Sequence, residues 1–100
     1  MVNVLWSAKA EHQLKKIHDF IAEDSHFYAQ QFIQKIIAST SILQLNPESG
    51  RIVPEFNETR IREIIYKNYR IVYLFESGSN TLTILNVSHG SAQLPEHLKD

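Results

Sequence analysis

Between Asn46 and Gly50 the chain reads N-P-E-S-G, and the spacing of apolar residues differs on its two sides. Before it the spacing is helical. Ala10, Leu14, Ile17 and Ile21, with Phe20 beside them, predict a helix over 8–23, opposite a face carrying Lys9, Glu11, Lys15, Lys16 and Glu23. Glu11 stands four residues before Lys15, the favourable order for a surface ion pair. D-S-H at 24–26 interrupts the pattern, and Asp24 or Ser25 is a candidate cap for a second helix. Ala29, Phe32, Ile33, Ile36, Ile37 and Leu43 predict that helix to about Leu45. Pro47 then stops it.

After Gly50 the period is two. T-R-I-R-E-I-I-Y (59–66), Y-R-I-V-Y-L-F-E (69–76) and T-L-T-I-L-N-V-S (81–88) read as strands, separated by Lys67-Asn68 and by S-G-S-N. In the first turn Asn68 is the residue suited to positive φ. R-I-V-P-E-F is a possible short strand that Pro54 confines to an edge or a bulge. V-N-V-L-W at the start reads as a first strand, and Ser7 after it as an N-cap. The expectation is one α+β domain over residues 1–100, ordered β-α-α-β-β-β, with a helical hairpin covering one face of a small antiparallel sheet. The tail from Gly90 reads as irregular.

Strand parity sorts the side chains. Tyr69, Ile71, Tyr73 and Phe75 form the face expected to meet the helices, and Arg70, Val72, Leu74 and Glu76 the opposite, open one. Arg70 is therefore expected to be exposed, and otherwise to be a structural arginine paired with a carboxylate such as Glu55. If Tyr66 pairs with Tyr69, then Ile64 opposes Ile71, Glu63 opposes Val72 and Arg62 opposes Tyr73. Surface pairing with Glu58 or Glu76 is the ordinary role for Arg62.

Composition excludes several functions. With no cysteine, disulfides, thiolate catalysis and cysteine-based zinc sites are ruled out. The five histidines have no converging metal-ligand spacing, and no phosphate-loop or nucleophile-elbow motif is present, so no metal or cofactor is expected. Formal net charge is −1, which argues against a long polyanion groove. Residues 51–70 nonetheless hold five Lys and Arg against three Glu, a mildly basic patch. Nothing reads as a membrane span or a leader, so a cytoplasmic protein is expected. His89, at the end of the last strand, is placed to serve as an acid or base or simply to end the strand.

In order along the chain come L-W-S-A-K-A-E-H-Q-L-K-K-I-H-D-F-I, A-Q-Q-F-I-Q-K-I, L-N-P-E-S-G-R-I-V-P-E, I-R-E-I-I-Y-K-N-Y-R-I-V-Y and N-V-S-H-G. This series resembles the RelE/ParE superfamily of toxins from type II toxin–antitoxin modules, closer to the ParE-like branch. The resemblance implies a bacterial growth inhibitor neutralised by a cognate antitoxin, with DNA gyrase or ribosome-bound mRNA as its target. For a nuclease member it implies metal-free attack of a ribose 2′-OH on phosphate, with Glu55 as base, Arg70 holding phosphate and His89 as acid. For a binding toxin it implies target or antitoxin contacts at Arg51, Arg62, Tyr69 and Arg70. The chain departs from the nuclease pattern in having Ser91, Ala92 and Gln93 where arginines often follow, and no Tyr after Tyr73. A gyrase-type binding toxin is ranked first, a ribosome-dependent mRNA endonuclease second, and an inactive antitoxin-binding member third.

Overall fold

The computed structural model describes residues 1–99. The elements are β1 (Asn3–Trp6), α1 (Ala8–Ala22), α2 (His26–Ser39), a 3-10 turn (Ser41–Gln44), β2 (Arg51–Ile52), β3 (Ile61–Tyr66), β4 (Tyr69–Glu76), β5 (Thr81–His89) and a final 3-10 turn (Glu96–Lys99). Local chemistry sets the helix starts. The Ser7 and Ser25 hydroxyls accept hydrogen bonds from the backbone N–H of Ala10 and Tyr28, each satisfying a donor that has no intrahelical partner. Lys15 pairs with Asp19 at 3.0 Å rather than with the expected Glu11; both partners are well exposed.

The second helix ends at Ser39, short of Leu45. In the run Ser39-Thr40-Ser41, the first two hydroxyls donate back to the carbonyls of Ile36 and Ile37. Such bonds compete with the regular ladder, and the chain tightens into the 3-10 turn.

The sheet order is β1-β5-β4-β3-β2. β2, β3, β4 and β5 pair antiparallel, and the expected β3–β4 register is observed. β1 departs from expectation by pairing parallel to β5, so the sheet is mixed. These two strands are joined through the whole rest of the domain, and no local turn fixes their relative direction. Positive φ in the β3–β4 turn falls on Lys67, at 54°, rather than on Asn68. That is the pattern of a hairpin turn strained only at its first central residue.

β5 contains a bulge. Tyr73 pairs with Ile84 but Val72 pairs with Asn86, which leaves Leu85 as the extra residue. Beyond β1, β5 is closed by α1: Gln13 accepts from the Val87 N–H at 2.7 Å and donates to Asn86 Oδ1 at 2.9 Å.

The main core lies between the helices and the sheet, built from Ala10, Leu14, Ile36, Leu43, Ile71, Tyr73, Leu82, Ile84 and Val87. The opposite face is not open as expected. Val53, Ile61, Val72 and Leu94 form a second buried cluster there, flanked by Phe56, Leu74 and Leu98. The loop after β2 and the chain beyond Gly90 cover it, so the tail read as irregular supplies part of a core. Asp100 lies outside the described residues.

Candidate functional site

Arg70 sits on β4 next to Val72, and its side chain is only 9% exposed. The expectation of an exposed guanidinium fails because the second cluster encloses this face. The pairing alternative holds, with one addition. Arg70 makes two parallel hydrogen bonds to Glu55, at 2.6 and 2.8 Å, and a third from Nε to Glu63 at 2.6 Å. Glu63 is fully buried on β3 and also accepts from Arg51 Nε of β2 at 2.6 Å. Four residues thus form one chain, Arg51–Glu63–Arg70–Glu55, whose ends reach solvent while its middle does not.

This geometry suits charge pairing. A bidentate guanidinium–carboxylate contact is among the stronger polar interactions, and the buried Glu63 carboxylate requires both of its cations. Hydrogen bonds from Arg70 hold the Glu55 carboxyl down at about 2. The same contacts with Glu55 and Glu63 raise the Arg70 guanidinium further above its ordinary value.

The other predicted site residues lie elsewhere. Arg62, across from Tyr73, belongs to the helix-facing parity. It donates to the carbonyls of Thr59 and Gly50 at 3.1 Å each and of Glu48 at 3.3 Å, and lies 3.7 Å from the Glu48 carboxylate. It therefore secures the 46–50 turn instead of pairing with Glu58 or Glu76. Glu58 is held by Arg60.

Tyr69 packs edge-on against Phe32 of α2 and against His89, with ring centroids 5.7 and 5.9 Å apart. His89 is exposed, and its Nδ1 lies 2.8 Å from the Ser91 hydroxyl. It pairs with Tyr69 while Arg70 pairs with Ser88. His89 and Arg70 consequently project from opposite faces of the sheet. Glu55 and Arg70 are brought together; His89 is not brought to them.

The Leu85 bulge causes this separation. Continuing the pairing of Tyr73 with Ile84 without an extra residue would set Ser88 opposite Tyr69 and turn His89 to the Arg70 side. Sequence reasoning missed Glu63 as the centre of the network. The signal was present in the register, which puts Glu63 opposite Val72 and hence on the Arg70 face.

The family model for the ParE toxin of the type II toxin–antitoxin system parDE matches residues 4–94. The chain belongs to the ParE toxin family. A solved structure of the chromosomal ParDE toxin–antitoxin system from P. aeruginosa superposes with a TM-score of 0.74 and 19% sequence identity. The match covers 89% of this chain and 96% of that one, and at this identity it speaks to the fold. No match was found among curated protein sequences. The ParE fold here is thus the helical hairpin on a five-stranded mixed sheet, with the four-residue ion chain on its far face. Among the described residues no helix is long and apolar enough to cross a membrane.

Proposed function

We propose that this ParE-family chain arrests growth by binding a protein target such as DNA gyrase, and that a cognate antitoxin neutralises it. The observation carrying this reading is the dispersal of the residues that RNA cleavage would need. Attack by a ribose 2′-OH needs a base poised near neutral pH, a cation free to meet phosphate, and an acid at the leaving oxygen. Glu55 is held as a strongly acidic carboxylate by Arg70, Arg70 is occupied by two carboxylates, and His89 stands on the other face. Arg51, with a side chain 61% exposed at the end of the ion chain, is the member of that chain whose cation can also meet an acidic group of a partner.

Inducible expression in a bacterial host tests the reading, with mRNA integrity and plasmid supercoiling followed as growth slows. Intact mRNA with altered topology is the expected result. Fragmented mRNA with normal topology would overturn it in favour of the endonuclease, and the Arg70→Ala and His89→Ala variants would then be compared for cleavage. No effect on growth would leave an inactive antitoxin-binding member.

A further inference from the structure

The two edges of the sheet are built differently. β2 is two residues long, carries Arg51, and is followed by Pro54, all features that discourage another strand from pairing there. β1 has none of these. Its residues Asn3, Val4, Leu5 and Trp6 are uncharged and free of proline, and among the described residues its only strand partner is β5. The N–H groups of Asn3 and Ser7 are donated inward, to the carbonyls of Asn80 and Ile84. By strand alternation the N–H and C=O of Val4 and Trp6 therefore face outward.

That edge is self-complementary. Antiparallel pairing about a two-fold axis at Leu5 sets Val4 opposite the second copy's Trp6, and Trp6 opposite its Val4. Both pairs have outward N–H and C=O groups, so four backbone hydrogen bonds form around a central Leu5–Leu5 pair. On the helix side each Trp6 ring meets a β-branched Val4, a favourable cross-strand combination. Leu5, 47% exposed on the other face, is covered by its own copy. The register cannot slide far: the Val2 N–H is taken by the Gln44 carbonyl, and Ser7 already caps α1.

A three-residue pairing is small, but a groove of mixed apolar and polar residues runs beside it. A cavity beside the strand is lined by Val4, Trp6, Ile37 and Ala38 together with Thr40, Ser41 and Gln44, and Ile42, in the adjoining 3-10 turn, is 53% exposed. We propose that the chain free of other partners forms a two-fold dimer through β1, joining two five-stranded sheets edge to edge.

Sedimentation of the purified full chain, with single substitutions at Leu5, tests this. The wild type is expected at the mass of two chains. Leu5→Lys and Leu5→Glu, each placing like charges across the axis, are expected at the mass of one, and an equimolar mixture of the two variants at the mass of two. The chain has no cysteine, so Leu5→Cys adds a clean probe. Directly opposed residues in a non-hydrogen-bonded pair lie close enough for a disulfide, and air oxidation should link this variant. The similarly exposed Ile65→Cys should stay unlinked. Circular dichroism checks that each variant is folded, and the cysteine pair keeps the test decisive if a charged variant is not. A wild type that sediments as one chain would overturn the proposal and leave the β1 edge to an extended segment of another protein. A dimer unaffected by Leu5→Lys, or a Leu5→Cys chain that does not link, would also overturn it.

Discussion

The Glu63 carboxylate accepts from two guanidiniums and has no exposed surface, whereas Glu55 at the end of the same ion chain is 45% exposed. The two acids should respond very differently to removal. Glu63→Ala leaves Arg70 buried with one partner fewer and should cost about 3 kcal/mol, the usual scale for breaking a buried pair. Glu55→Ala should cost under about 1 kcal/mol, because solvent screens the exposed end. Urea denaturation of both variants checks the ordering. Acid stability follows from Glu55 as well. Its folded-state value of about 2 lies below the ordinary carboxylate value of 4.5, so its contribution is complete above that ordinary value. It is lost as pH falls toward about 2. Glu55→Gln should therefore flatten the decline of stability across that interval, and a variant declining as steeply as the wild type would contradict the assignment.

At the scale of elements, the turn at 46–50 is fixed from inside the sheet. The buried Tyr73 hydroxyl accepts from the Gly50 N–H at 3.0 Å and donates to the Pro47 carbonyl at 2.7 Å. A Cβ on Gly50 would lie 2.6 Å from the Glu63 carbonyl oxygen and 2.7 Å from the Tyr73 hydroxyl. Gly50→Ala should thus destabilise by about 2 kcal/mol through overpacking. Tyr73→Phe should cost about 1 to 3 kcal/mol through the unpaired Gly50 N–H and Pro47 carbonyl. Thermal melts of the two variants measure both. The elements whose causes are local were readable from sequence: the serine caps, the change of period at Gly50, and the β3–β4 register. Others depended on distant parts of the chain. The parallel docking of β1 and the burial of Arg70 arise where segments far apart in sequence meet, and S-A-Q-L-P gives no periodic hint that Leu94 is core. At the candidate site the Arg70–Glu55 pair could be foreseen as an alternative, while the role of Glu63 needed the register and the burial of that face together.

For the whole molecule, the sheet is a partition between two cores of unequal size. Leu94→Ala should cost about 2 kcal/mol, near the low end for a buried leucine because the far cluster is small. A protein that binds only the folded chain should raise the melting temperature in proportion to the logarithm of its free concentration over its Kd. A titration of cognate antitoxin followed by scanning calorimetry would measure this, and an unmoved transition would argue against neutralisation by binding to the folded state. The partition also bears on comparing members of the family. One extra residue at Leu85 reverses which side of the sheet every later β5 side chain occupies. Two toxins with histidine in the same alignment column, one with the bulge and one without, would present it to opposite sides. Residue correspondence in this strand is therefore a matter of counting pairs along β4, and a shared letter after N-V-S does not by itself imply a shared site.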